Sequence, residues 1–145
     1  KAMYTVDALL QNDVWQEITR GAKFEQPGFD IIKGYPFRAK ADVLGTNYMA
    51  DLKTTSDLKN FEWNAKKYSY DVQLYIYCNV FKIDYQDFSF FAIDKATGDL
   101  GIYEVTKNFF DSGKQKFERG LEIYEKFFVK QEEELNSYVI KGILN

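Results

Sequence analysis

Histidine is absent from this chain of 145 residues, and its absence removes several classes of enzyme at once. Catalytic triads of the Ser-His-Asp type, Cys-His pairs and the usual histidine-bearing zinc sites all need an imidazole. General acid–base chemistry must therefore come from carboxylates, lysine, tyrosine or metal-bound water.

Cysteine is almost absent as well, because Cys78 is the single one. One cysteine can form neither an internal disulfide nor a four-cysteine iron–sulfur cluster, and in its apolar surroundings we interpret it as a packing residue. No apolar run approaches the roughly 18 residues of a membrane span, so no membrane partner is predicted. The length fits one domain over residues 1–145.

Charge is uneven along the chain, although the net charge is only −3. Between Ile31 and Tyr68 there are seven basic and four acidic residues, which gives this window a charge of +3. A local positive field is sufficient for binding phosphates, so the acidic protein as a whole is compatible with a nucleic-acid partner.

The stretch Tyr35–Thr55, YPFRAKADVLGTNYMADLKTT, has the two-residue period of a β-hairpin. In its first strand apolar residues alternate with three charged ones, which we expect on one face: Arg38, Lys40 and Asp42. Gly45-Thr46-Asn47 is a turn signal, and the second strand places Asp51 and Lys53 on one face. The hairpin would bring Asp42 close to Asp51.

Two carboxylates and an amine at one place suit the hydrolysis of a phosphodiester. Carboxylate oxygens bind Mg²⁺ or Mn²⁺, and such an ion polarises a phosphate and lowers the pKa of a bound water. A neighbouring lysine can hold that water and neutralise developing charge. The alternative interpretation is a solvated hairpin carrying a surface ion pair.

The next stretch, Tyr68–Val80 (YSYDVQLYIYCNV), places Gln73 and Tyr77 four residues apart on one helix face. An acid, then D-L-K, then Q-x-x-x-Y resembles the PD-(D/E)xK nuclease superfamily, in particular its branch of RecB-type, RecE-type and lambda-exonuclease-type enzymes. The segments GYPFRAKAD, DLKTT and KYSYDVQ are similar to that branch too.

The resemblance implies a restriction-endonuclease-like α/β (α+β) core with a mixed central sheet flanked by helices. It also implies a Mg²⁺- or Mn²⁺-dependent DNA exonuclease of phage recombination or DNA repair type in the cytoplasm of a bacterial or phage-infected cell. Its partners would be DNA, a single-strand annealing or recombination protein, and further copies of the chain. A related endonuclease and a catalytically incomplete DNA-binding or assembly module remain open.

The site residues follow from matching these motifs. We expect metal ligation by Asp42, Asp51 and, as the resemblance implies, the Leu52 carbonyl, with a catalytic role for Lys53. Gln73 would hold the lysine, the water or DNA, and its alternative is an exposed helix glutamine. The resemblance assigns Tyr77 to the same pair, and its alternative is a core aromatic with a bonded hydroxyl. Four basic residues are candidate DNA contacts or else solvated charges: Arg38, Lys40, Lys66 and Lys67.

Relatives usually supply a further acidic or histidine ligand from a helix before the first strand. In this chain Glu17 and Glu25 are the two candidates, and the pattern does not choose between them. The third alternative is a ligand on a helix upstream of Lys1.

The remaining pattern predicts a helix over residues 4–20 in two pieces and strands at Lys23–Gln26 and Phe29–Lys33, with Pro27-Gly28 as a turn. A helical stretch starts at Ser56-Asp57 and breaks before Tyr68, and we expect Phe61 and Trp63 to pack in the core rather than stack on bases. Asp87–Ile93 and Gly101–Thr106 are expected strands. A last helix, capped by Asp111 or Ser112, is expected to run to about Glu134.

Overall fold

A five-stranded mixed sheet flanked by helices forms the protein in a computed structural model that describes Asp7, residues 9–129 and residues 141–144. The strands are β1 (Lys23–Ile32), β2 (Tyr35–Leu44), β3 (Met49–Thr55), β4 (Phe88–Asp94) and β5 (Leu100–Glu104). The helices are α1 (Asp13–Ile18), α2 (Phe61–Lys67), α3 (Tyr70–Phe81) and α4 (Lys107–Tyr124), with 3₁₀ turns at Leu58–Asn60 and Tyr85–Asp87 and a π-helical turn at Glu125–Val129.

The strands lie in the order β1-β2-β3-β4-β5, and every neighbouring pair is antiparallel except β3 with β4. A parallel pair needs a long crossover connection, and here α2 and α3 provide it. This architecture confirms the predicted α/β class with a mixed central sheet. None of the described helices is long and apolar enough to cross a bilayer.

Each face of the sheet buries its own apolar cluster. Phe88, Phe90 and Ala92 of β4 pack with α2 and α3 on one face, whereas Phe91 and Ile93 pack with Trp15 of α1 on the other. Burial on both sides explains why β4 is a nearly continuous apolar run rather than an alternating one. The two clusters fix β3 between them, with its Asp51 face toward α3.

The predicted turn at Pro27-Gly28 is wrong, because both residues lie inside the continuous strand β1. Proline lacks an N–H, but β1 is an edge strand in this sheet, where that donor is dispensable. Gly28 is needed for packing: a Cβ there would stand 2.6 Å from the Phe81 ring and 2.7 Å from a Val80 methyl at the end of α3. The chain turns instead at Lys33-Gly34, so Tyr35 and Pro36 belong to β2.

The predicted cap of the last helix is also wrong. Thr106 is the N-cap of α4, and its hydroxyl accepts a hydrogen bond from the Phe109 N–H at 3.2 Å. Asp111 pairs with Lys107 one turn away, and Ser112 points to Asp71. The expected end near Glu134 and most of the first helical piece before Asn12 lie outside the described residues, whereas Asn12 caps α1.

Asp71, a buried carboxylate in the first turn of α3, joins that helix to α4. Ser112 Oγ donates to Asp71 Oδ2 at 2.7 Å, and Lys116 Nζ lies 2.9 Å from the same oxygen. Gly113 makes the close crossing possible, since a Cβ there would stand 1.9 Å from the Asp71 backbone carbonyl oxygen. Removing Ser112 or Lys116 would leave the buried Asp71 charge without one of its partners, which is strongly destabilising. This contact therefore fixes the position of α3 against α4.

Gly113 and Gly120 form a matched pair on α4. Gly113→Ala should lower the free energy of unfolding by about 2–3 kcal/mol, because the added methyl meets backbone that cannot move without separating the helices. Gly120 has open space around its Cβ position, so Gly120→Ala should raise that free energy by up to about 1 kcal/mol. Urea unfolding followed by circular dichroism measures both; equal effects at the two positions would rule out the close crossing.

Candidate active site

Asp42 and Asp51 face each other across the β2–β3 hairpin. The register pairs Val43 with Ala50 and Leu44 with Met49, so its next step sets Asp42 opposite Asp51. The ladder ends before that step, and the Asp42 side chain takes its place: Oδ2 accepts a hydrogen bond from the Leu52 N–H at 2.8 Å. The expected meeting of the two carboxylates is therefore present.

Asp42 reaches this position because the alternation of side chains between the two faces of the sheet is interrupted there in β2. Ala41 packs in the cluster beneath α2 and α3, whereas Val43, two residues on, packs with Trp15 on the opposite face. A regular strand would keep Ala41 and Val43 on one face. The expected row of three charges is thus broken: Arg38 and Lys40 are exposed, and Asp42 is half-buried and bonded to β3.

Asp51 carries a carboxylate in the interior of the protein, with 3% of its side chain exposed. Burial raises the pKa of Asp51 to about 7; the nearby Lys53 ammonium works against this rise, and the Asp42 carboxylate adds to it. Oδ2 lies 2.9 Å from Lys53 Nζ as an ion pair but accepts no well-directed hydrogen bond from the described residues. Such an oxygen is available to an incoming cation.

The Gln73 side-chain amide connects the site to α3. Its Nε2 donates to Asp51 Oδ1 at 3.1 Å and to the Tyr77 hydroxyl at 3.0 Å, and its Oε1 accepts from Lys53 Nζ at 2.6 Å. Both ends of the amide are used, so its orientation is fixed by three partners. Gln73 is half-buried rather than the exposed helix glutamine of the alternative interpretation, and its role at the site stays a prediction.

Tyr77 is half-buried, and its hydroxyl is bonded as the packing interpretation required. Burial raises the pKa of Tyr77, the Gln73 hydrogen bond opposes that change, and the Asp51 and Asp42 carboxylates add to it. The phenol is therefore neutral at physiological pH and helps to orient Gln73.

Lys53 is held more firmly than a surface lysine. Only 17% of its side chain is exposed, and its ammonium contacts Asp51 and Gln73 as well as the face of Tyr70, whose ring centroid lies 4.3 Å away. Sequence reasoning missed Tyr70, although it precedes Gln73 by three residues and Tyr77 by seven and so shares their helix face.

The Leu52 backbone faces the gap between β2 and β3. Its N–H points to Asp42, and in a regular strand the N–H and C=O of one residue point to the same side. The Tyr48 carbonyl, four residues earlier, points to Gly45 on that side as well. The Leu52 carbonyl is thus directed into the gap that the two carboxylates border.

These groups fit a hard divalent cation. Mg²⁺ is commonly bound through one or two carboxylates, with water and substrate phosphate completing its shell. Asp42, Asp51 Oδ2 and the Leu52 carbonyl offer that set. Within the described ranges no group of three acidic, cysteine or histidine side chains could surround a metal.

Glu17 and Glu25 remain predictions as further ligands, and both are exposed in other ion pairs. Glu17 lies 3.0 Å from Arg20, and Glu25 lies 3.3 Å from Lys40. Glu25 occupies the step of the β1–β2 register opposite Asp42, where its left-handed backbone (φ 51°) interrupts the pairing. That backbone is costly for a residue other than glycine, and such outliers concentrate near functional sites.

The predicted DNA contacts Arg38, Lys40, Lys66 and Lys67 are all exposed, the first two on β2 and the other two at the end of α2. The expectation that Phe61 and Trp63 both pack in the core holds for Phe61 alone. Phe61 is buried, whereas 67% of Trp63 is exposed, because the short helix α2 turns the two residues to different sides.

Comparison of the sequence with models of known protein families identifies one that matches it. Residues 1–138 match the family model described as a PDDEXK-like domain of unknown function (DUF3799). No curated protein matches the sequence closely enough to be called a relative.

Two solved structures share the fold at low sequence identity. A candidate exonuclease from Eubacterium rectale is 16% identical with a TM-score of 0.72, over 99% of this chain and 62% of that one. A protein called SSO0001 is 18% identical with a TM-score of 0.50, over 72% of this chain and 50% of that one. The chain thus spans less than two thirds of either protein.

Asp51→Asn tests the buried carboxylate through stability. The native state keeps the Asp51 proton up to about pH 7, whereas the unfolded state releases it near 3.8, so rising pH favours unfolding between these values. In EDTA, Asp51→Asn should therefore gain up to about 4 kcal/mol of stability over the wild type on going from pH 4 to pH 8. Urea unfolding across that range measures the difference.

Mn²⁺ supplies the complementary measurement. Titration calorimetry above pH 7 should show binding to the wild type and none to Asp51→Asn. Lys53→Ala is the control, since it removes the adjacent charge but no oxygen ligand. A pH-independent difference in stability, together with unchanged Mn²⁺ affinity, would show that Asp51 is not the buried ligand.

Proposed function

This chain belongs to the PDDEXK-like family DUF3799, and from that premise we propose that it is a metal-dependent deoxyribonuclease that hydrolyses phosphodiester bonds, specifically an exonuclease. The observation that carries the proposal is the buried Asp51 carboxylate beside Asp42: among the described residues its Oδ2 accepts no well-directed hydrogen bond and has only the Lys53 ammonium, 2.9 Å away, as an ion-pair partner. Burying such a carboxylate costs stability, and carboxyl groups with strongly shifted pKa values cluster at functional sites, which supports a ligand here.

Asp42, Asp51 and the Leu52 carbonyl would hold Mg²⁺ or Mn²⁺. The ion supplies Lewis-acid activation of the phosphate and of a water when bound. Asp42 is oriented by the Leu52 N–H, and Asp51 by Gln73, so neither carboxylate has to reorganise when the cation arrives.

Lys53 would act on the reacting phosphate. Its ammonium is aimed by Gln73 and Tyr70 to the edge of the Asp51 carboxylate, where the phosphate would bind. There it donates hydrogen bonds to the attacking water or to a phosphate oxygen and neutralises the charge that grows during attack. In this scheme a water forms the new P–O bond directly, without a covalent intermediate on the protein. The P–O bond to one sugar oxygen breaks, the attacking water loses a proton to solvent, and the leaving oxygen takes one up from solvent.

The DNA strand would follow the basic residues on either side of the site. Arg38 and Lys40 extend along β2 from Asp42, and Lys66 and Lys67 end the helix that precedes Tyr70. Such contacts supply affinity without reading sequence. A role in phage recombination or DNA repair, with a single-strand annealing or recombination protein as partner, assembly of several copies and a cytoplasmic location belong to the same proposal.

A binding or assembly module that lacks turnover is the second candidate. It is favoured by the lack of a third acidic ligand among the residues that the structure describes. End-labelled linear DNA and closed circular DNA, each with Mg²⁺ and with EDTA, separate the alternatives. We expect Mg²⁺-dependent loss of linear DNA alone; cleavage of circles indicates an endonuclease, and binding without cleavage of either indicates the module.

Lys53→Ala separates chemistry from binding. Turnover should fall by about 10²-fold or more, the scale of losing one well-placed electrostatic group, because the lysine acts mainly in the transition state. DNA affinity should change much less, since other basic residues share that task. Single-turnover cleavage in Mg²⁺ and equilibrium binding in Ca²⁺ measure the two quantities.

The matched control is Lys114→Ala, which removes an exposed lysine from α4. It should leave both quantities unchanged. Cleavage by Lys53→Ala at the wild-type rate would show that the hairpin is not the active site.

A further inference from the structure

Two large aromatic side chains stand in solvent beside the candidate site. Trp63 on α2 is 67% exposed, and Tyr68 directly after that helix is 59% exposed. Neither ring packs in the apolar clusters that bury Phe61 and Ala65 of the same helix. Exposed rings occur elsewhere too, for example Tyr124 and Phe128, so it is the position beside the candidate site that distinguishes Trp63 and Tyr68.

A lysine joins these two rings into one surface. Lys67 Nζ lies 5.3 Å from the Trp63 ring centroid and 5.7 Å from that of Tyr68, within the range of a cation–π contact. The exposed Lys66 adds a second positive charge beside it. We call Trp63, Lys67 and Tyr68 the aromatic platform.

The platform continues into the site through Tyr70. The Tyr68 and Tyr70 ring centroids are 6.1 Å apart, and Tyr70 in turn covers the ammonium of Lys53 at 4.3 Å. Ser69 between the two tyrosines has a left-handed backbone (φ 58°), which separates α2 from α3 and brings the rings together. A chain of contacts therefore runs from the exposed rings of the platform through the half-buried Tyr70 to Lys53, the residue proposed to act on the phosphate.

We propose that the aromatic platform binds unpaired bases of a single DNA strand that passes through the active site, an inference that rests on the proposed nuclease function. Bases of any sequence can stack on Trp63 and Tyr68, while Lys66 and Lys67 neutralise the phosphates between them. Bases within a duplex already cover each other's faces, so the platform selects a strand that has been separated from its complement.

Intrinsic fluorescence reports on the platform directly, because the chain has only two tryptophans and Trp15 is buried at 6% exposure. An oligothymidylate of about 12 nucleotides, added in EDTA so that no cleavage occurs, should quench the emission of Trp63. In Trp63→Phe the remaining emission comes from Trp15 and should not respond. A blunt duplex should leave the Trp63 emission unchanged.

Substitutions measure the contribution of the rings. Trp63→Ala and Tyr68→Ala should each weaken oligothymidylate binding by about 5- to 100-fold, the equivalent of losing one stacked base, while Trp63→Phe should retain most of the affinity. Phe128→Ala is the matched control: Phe128 is 66% exposed but packs on Tyr124, which contacts Tyr35 at the far end of β2. It should not change the affinity.

The outcomes for the platform and for the nuclease are separate. Trp63-dependent binding of the single strand in a protein that cuts no DNA would support the platform and overturn the nuclease. Equal affinity of Trp63→Ala and wild type in a protein that cuts DNA would overturn the platform alone. Sedimentation that shows a dimer lost in Trp63→Ala would also overturn it, because a second copy would then cover the ring.

Discussion

The burial of the Asp51 carboxylate is the constraint around which the rest of the structure is arranged. Raising the pKa of Asp51 from 3.8 to about 7 means that ionising this group costs roughly 4 kcal/mol more in the folded protein than in the unfolded chain. That cost is large compared with the whole free energy of unfolding of a domain of this size. That pKa already includes the opposing effect of the Lys53 ammonium, and Gln73 bonds Oδ1 alone, so Oδ2 has the lysine nearby but accepts no well-directed hydrogen bond from the part of the chain that the structure describes. A cation bound to Asp51 Oδ2 would supply the well-directed partner that this oxygen lacks in the described part of the fold.

Every element near Asp51 contributes to this arrangement. The parallel pairing of β3 with β4 places Asp51 in the middle of the sheet, and α3 covers it with Gln73 and Tyr77. The position of α3 depends in turn on the contacts of Asp71 and on Gly113, whose lack of a side chain lets α4 cross close to α3. A mutation at that crossing, on the far helix, would therefore disturb the amide that orients the site.

Sequence patterns predicted which residues of the candidate site lie close together, because the spacing of these residues is local. Asp42, Asp51 and Lys53 belong to one hairpin, and Gln73 and Tyr77 to one helix face, so two-residue and four-residue periods were sufficient. The bend at Asp42 could not be read, since it depends on which face of the sheet buries Val43. The turn predicted at Pro27-Gly28 was wrong for a similar reason. Gly28 packs against the end of α3, and a contact between residues so distant in the chain leaves no local pattern. The exposure of Trp63 could not be predicted, because a helix as short as α2 has too few apolar residues to show which of its faces is buried.

An anomalous-scattering measurement on crystals soaked in Mn²⁺ tests the account at its centre. We expect a single strong peak in the gap between β2 and β3, within coordination distance of Asp42, Asp51 Oδ2 and the Leu52 carbonyl. The peak should be lost in Asp51→Asn crystals. Mn²⁺ bound elsewhere, or a gap still closed by the Lys53–Asp51 ion pair at saturating metal, would contradict it.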